Sequence, residues 1–130
     1  MVKTQLWHAA LVALGGSIGA VLRYVLSGLA HRLFPATTLP IGTLCVNVLG
    51  CLVIGFLGGL VEDRQLFGPQ ARLFLFIGLL GSFTTFSTFA YETLALAQQA
   101  DFARASFNVL VQVALCLACV WLGFAVSRML

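Results

Sequence analysis

Charge is what this sequence has least of. Only 8% of its 130 residues are Asp, Glu, Lys or Arg, where a soluble domain carries about a quarter. A chain so poor in charge cannot cover a water-facing surface, which excludes a soluble globular domain and leaves an integral membrane protein. The seven Lys and Arg lie scattered, six of them over loops and ends, and form no basic patch, so nucleic acid is excluded as a partner. Acid is scarcer, at four residues, and none falls in the first apolar run, which carries Arg23 instead. That argues against a small proton-coupled multidrug exporter, which needs a carboxylate in its first span.

Cysteine is also sparse. Cys45, Cys51, Cys116 and Cys119 all fall inside apolar runs, where a free thiol acts as a small apolar residue; no disulfide is assigned. Cys116-Leu-Ala-Cys119 has the spacing of a redox pair, but Cys45 and Cys51 lie mid-run and six apart. They suit no thiol shuttle, which counts against a four-span thiol oxidoreductase. There is no P-loop to hold a nucleotide and no length left for a soluble catalytic domain. No enzyme and no organic cofactor are expected.

What the chain does have is hydrophobic length: 61% of its residues are apolar and its mean hydropathy is +1.05. A membrane-spanning helix needs about 20 apolar residues. Four runs qualify, at about 6–29, 41–61, 73–97 and 105–126, which makes one four-span transmembrane domain over residues 1–130. The run after Lys3 is long and reads as a first span rather than a cleaved leader. Pro35 and Pro40 break the first loop, Gly68-Pro69 turns the second, and Asp101 and Arg104 mark the third. Gly15, Gly16 and Gly19, and again Gly55, Gly58 and Gly59, either let helices approach closely or are simply tolerated.

The polar exceptions inside these runs carry the functional signal. Between Gly81 and Phe89 the third run reads GSFTTFSTF, so Ser82, Thr84, Thr85, Ser87 and Thr88 interleave with Phe83, Phe86 and Phe89. Polar or irregular backbone at membrane depth survives only where protein buries it or water wets it. The three Phe repeat every third residue and are expected along one helical face or one side of a broken helix. Gly78 and Gly81 permit such a break, and a break frees carbonyls that can bind a cation. The stretch therefore lines a path for something small. Asn47 in the second run must find a hydrogen-bond partner, in another helix or in a wet path. Asn108, Gln112 and Cys116 are spaced by four and share one face of the fourth helix, either packed on a partner or lining a wet route. Arg23 either snorkels to the interface or faces a wet cavity or buried partner. Glu92 is either a functional carboxylate at membrane depth or a solvated helix end. Lys3, Arg64, Arg72 and Arg128 lie on one side of the membrane against Arg32 and Arg104, plus Arg23 within the span, on the other. So weak a charge bias permits insertion in both orientations.

With these residues in view, the sequence resembles the Fluc, or CrcB, family of fluoride channels. The resemblance rests on GGSIGAVLRY from Gly15 to Tyr24, on P-x-GTL-x-VN from Pro40 to Asn47, and on G-x-x-GSFTTFSTF-x-x-E from Gly78 to Glu92. It implies an all-α, four-helix membrane subunit with a broken third helix. It also implies an antiparallel, dual-topology homodimer in a bacterial inner membrane, with two pores that export fluoride passively and confer fluoride resistance. A structural sodium ion at the dimer interface would be held by the carbonyls of Gly81 and Thr84. The resemblance assigns the pore to Phe86, Phe89, Asn47, Ser87 and Thr88, the vestibule to Arg23, and the acidic position after the motif to Glu92. The pore's polar track is expected to continue along the fourth helix past Asn108 and Gln112, although these and Cys116 depart from the hydroxyl and ring side chains often found in the family. Fluoride, sodium, the lipid bilayer and a second copy of the chain are thus the expected partners.

Overall fold

Apolar runs without internal proline dictate four long helices, and the computed structural model has four. It describes residues 2–64 and 66–130, apart from the side chains of residues 63 and 64. The first helix is Val2–Leu33, the second Ile41–Arg64, the third Pro69–Gln98 and the fourth Phe102–Ser127; each is long and apolar enough to cross a membrane. Among the described residues there is no strand. At 32 residues the first helix is about 48 Å long. It exceeds a hydrocarbon core of about 30 Å, so it tilts or projects.

The helix ends follow from local chemistry. Pro69 stands at the first turn of the third helix after Gly68, where its missing N–H costs nothing. The third helix ends in a Schellman turn: Asp101 N–H donates to the Leu96 carbonyl at 3.1 Å and Ala100 N–H to that of Ala97 at 3.0 Å. Ala100 takes the left-handed position there, with φ 60°. Asp101 then caps the fourth helix, accepting from Arg104 N–H at 3.1 Å, and pairs with the Arg104 side chain at 3.1 Å.

The third helix is not one rod. After Pro69–Arg72 it widens into a π-helix over Leu73–Leu80, closes a last α turn at Gly81–Phe83, and resumes only at Phe86–Gln98. Between these halves Thr84 (φ −84°, ψ 160°) and Thr85 (φ −151°, ψ 119°) are extended. The break thus falls at the β-branched pair rather than at Gly78 or Gly81; at Gly78 the missing side chain serves packing instead. A Cβ on Gly78 would stand 2.9 Å from the Val12 carbonyl oxygen and 3.0 Å from Gly15 Cα. The first helix and the π-helical half therefore touch backbone to backbone. Small residues also join the second and fourth helices: Gly55 packs on the Val120 backbone and Gly123 on that of Leu52.

Burial is inverted relative to a soluble protein. Among the described residues, the buried set holds as many polar side chains (Thr43, Asn47, Asn108, Gln112, Ser127) as apolar ones (Ala30, Val46, Leu80, Phe89, Ala105). Exposed Leu, Val, Ile, Phe and Trp run along all four helices. The apolar side faces lipid and the polar side faces in, so the protein is a multi-pass integral membrane protein.

Candidate functional site

The site is built around the break in the third helix. Asn47, 8% exposed, clamps the extended peptide at two points. Its Nδ2 donates to the Thr85 carbonyl at 2.9 Å, and its Oδ1 accepts from Thr85 N–H at 2.8 Å. The side-chain amide thereby supplies both bonds that a continuous helix would have given Thr85. A hydroxyl secures the restart: Thr85 Oγ1 accepts from Thr88 N–H at 3.2 Å and donates to Thr88 Oγ1 at 2.9 Å, an N-cap of the usual kind. Ser87 Oγ lies 3.3 Å from the same hydroxyl. The break is thus specified by side chains on two helices.

Two cavities meet at this break, and Thr85 borders both. The larger, about 830 Å3, is lined by Arg23, Ser27, His31, Arg32, Thr43 and Thr88 among others. Arg23 therefore faces a cavity rich in hydroxyls and cations. The smaller, about 420 Å3, holds Asn47, Thr84, Phe86, Phe89, Gln112 and Cys116 in its wall. Phe86 and Phe89 pair edge to face there, centroids 5.4 Å apart and planes at 62°. Phe89 is 7% exposed but Phe86 is 78% exposed, so the wall is open on the Phe86 side. Phe83, before the break, turns instead toward Gly50. The three-residue Phe spacing is thus divided between two directions.

The rows seen on the helices meet in register. Asn47 and Cys51 of the second helix and Gln112 and Cys116 of the fourth border the same cavity, and one turn further on Gly55 meets Val120. Gln112 is 5% exposed, yet its Nε2 has no hydrogen-bond partner. A buried amide N–H without a partner costs about 1–3 kcal/mol, so this donor, on a residue that borders the cavity, calls for a ligand or water. Asn108 lies outside both cavities. It donates to Thr93 Oγ1 at 2.8 Å, and Thr93 donates to the Phe89 carbonyl at 2.8 Å, so Asn108 braces the turn that carries Phe89. Glu92 is neither at a solvated end nor in either wall. Its Oε1 accepts from Thr43 Oγ1 at 2.8 Å, and its Oε2 is buried without a partner.

Thr43 and Thr93 matter here yet escape a reading of the sequence by polarity alone, and Thr85, already in the polar cluster, does more than line a path. Thr43, Thr85 and Thr93 each hold a named site residue in place. A signal for Thr43 was present: Thr43, Asn47, Cys51, Gly55 and Gly59 step by four along the second helix, mirroring the row on the fourth. Thr93 offers no comparable signal, since its partner lies on another helix.

This arrangement can bind and pass a small anion. It offers amide and hydroxyl donors, ring edges with positive potential, and cations in the adjoining cavity. Comparison with known proteins agrees. The family model described as "CrcB-like protein, Camphor Resistance (CrcB)" matches residues 10–124. A protein of Shewanella amazonensis named "Fluoride-specific ion channel FluC" is 50% identical over 112 residues, 86% of this chain and 89% of the relative. Proteins of the same name from Methylobacillus flagellatus (41% identical; 95% of this chain, 97% of the relative) and Opitutus terrae (47% identical; 86% of each) match likewise. Matches of this extent, over a four-helix membrane fold with a clamped break in the third helix, establish that the chain belongs to the CrcB family.

Proposed function

We propose that this chain is a fluoride-selective channel, not an enzyme, through which fluoride leaves the cytoplasm passively, conferring fluoride resistance. Its family membership and the names of its relatives support this. The observation that carries it is the smaller cavity, where an unpaired buried amide N–H of Gln112 stands in one wall with the Asn47 amide and the Phe86–Phe89 pair.

Fluoride is small and holds its water firmly, so a pore must replace that water with donors. Gln112, Asn47 and the hydroxyls of Ser87 and Thr88 supply them. The edges of Phe86 and Phe89 add weaker contacts; ring faces would repel the ion. Asn108 keeps Phe89 in position, and Glu92 anchors Thr43 in the wall of the larger cavity. Arg23, with Arg32 beside it, makes that cavity a vestibule that raises the local concentration of anions. A narrow slot lined with donors rejects chloride by size.

The wall open at Phe86 fits assembly as an antiparallel, dual-topology homodimer whose second copy completes each of two conduits. A structural sodium ion suits the break. The N–H groups that a continuous helix would aim at the Gly81 and Thr84 carbonyls belong to Thr85 and Thr88, and both go to side-chain oxygens instead. Carbonyl oxygens suit a hard cation, and among the described residues no group of three or more His, Cys, Asp or Glu competes for it. When bound, such an ion supplies a fixed positive charge near the anion path. Even a unit charge as close as about 10 Å contributes only roughly 2 kcal/mol at an effective dielectric of about 20. Dehydrating an ion into an apolar interior costs far more than that, so the donors carry most of the compensation.

The test is efflux from liposomes loaded with fluoride or chloride. Fluoride is expected to leave quickly and chloride negligibly, and Phe86→Ile should slow fluoride at least about tenfold, equivalent to about 1.4 kcal/mol on the barrier. Equal release of both anions, or of neither, overturns the reading.

A further inference from the structure

Two thiols in the conduit wall have no part in the account so far. Cys51 of the second helix and Cys116 of the fourth border the same cavity as Asn47, Phe86, Phe89 and Gln112. Their side chains interact across the two helices, and Cys119 lies close enough to influence both. All four cysteines are free. The pair is also rigidly held. One turn beyond it the helices touch backbone to backbone, Gly55 on Val120 and Gly123 on Leu52, so the two helices hold the cysteine Cα atoms together and only side-chain rotation can part the sulfurs.

We propose that Cys51 and Cys116 form a two-sulfur site for a soft cation of linear preference, the class of Cu(I), Ag(I) and Hg(II), and that a cation bound there closes the conduit. This rests on the channel reading above. Thiolate sulfur selects soft metals. A structural zinc needs four ligands, and among the described residues no group of three or more His, Cys, Asp or Glu is gathered to supply them. Two sulfurs in contact, with no third ligand gathered to the same point among the described residues, match an ion content with two bonds. With Hg(II), each thiol loses its proton and forms one S–Hg bond, so one metal binds per pair, two protons leave, and no electrons are transferred. A bulky cation bridging the wall one helical turn from Asn47 and Gln112 obstructs the path beside the donors. With both protons gone the Hg(II) bis-thiolate carries no net charge, so the block is steric.

The experiment uses the full-length protein in liposomes, with Hg(II) alone as the probe and protein-free liposomes as the control. Two readouts are taken: fluoride efflux, as the ratio with and without metal for each variant, and the number of free thiols lost per mercury bound. Wild type should slow at least tenfold with micromolar Hg(II), losing two thiols per metal, and dithiothreitol should restore both. Cys51→Ser and Cys116→Ser should each raise the half-blocking concentration at least tenfold, whereas Cys45→Ser should leave it unchanged. Undiminished block in the Cys51→Ser/Cys116→Ser double variant overturns the proposal. So does loss of these two thiols to mercury with no change in efflux. A chain that binds one mercury through the pair yet moves no fluoride in its absence refutes the channel and leaves the metal site standing.

Discussion

Gln112 buries an amide whose Nε2 finds no acceptor, and at the scale of one residue that is a liability the fold tolerates. Its ordinary resolution would be an apolar side chain of similar size. Gln112→Leu is therefore expected to leave thermal stability in detergent equal or raised, by up to about 1–3 kcal/mol, while fluoride efflux falls. A purely structural Gln112 would show the reverse, with lower stability and unchanged flux. Asn47 is the opposite case. Both of its amide groups are engaged with Thr85, so it holds the peptide that divides the two cavities as well as lining one. The sequence shows that Asn47 needs a partner, but not that the partner is a backbone group 38 residues away.

The elements are joined by contacts that leave little room for change. Ala100 occupies the left-handed position of the turn between the third and fourth helices, where an L residue is strained by roughly 1–2 kcal/mol. Ala100→Gly should stabilise the protein by about 0.5–1 kcal/mol, once the greater freedom of glycine in the unfolded chain is offset. Thermal unfolding in detergent checks this, and loss of stability would contradict it. Much at this scale is legible in the sequence. Long apolar runs mark the four helices, and the GSFTTFSTF stretch marks the interruption in the third. The position of the break is less legible. Gly78 and Gly81 look like the weak points, yet both remain helical, and the chain opens at Thr84 and Thr85. The reason is tertiary. Asn47 offers the Thr85 peptide a better set of partners than the helix does, while Gly78 is needed bare for the contact with Gly15. The π-helical turns are invisible to a pattern of hydrophobicity for the same reason, since nothing in Leu73–Leu80 distinguishes them from an ordinary apolar helix.

For the whole molecule, orientation in the membrane is set by very few charges. Lys3, Arg64, Arg72 and Arg128 stand against Arg32 and Arg104, with Arg23 inside the span, so two added lysines should decide the matter. Gln5→Lys with Gln70→Lys should force one orientation and, if the working unit is antiparallel, abolish most fluoride efflux from that variant alone. Co-expression with a companion biased the other way (Thr37→Lys, Thr38→Lys, Lys3→Gln, Arg72→Gln) should restore it. Full activity of either variant alone would rule out the antiparallel unit. Thr85, midway along the third helix, belongs to the walls of both cavities. Where both cavities fill with water this peptide is what parts them, and an electric field falls steeply only where water is absent. A membrane voltage worth about 2.3 kcal/mol per charge per 100 mV is then concentrated over a few ångströms around Thr85. The residue that fixes that thickness is Asn47, which makes a single side-chain amide the setting for how strongly voltage drives the ion.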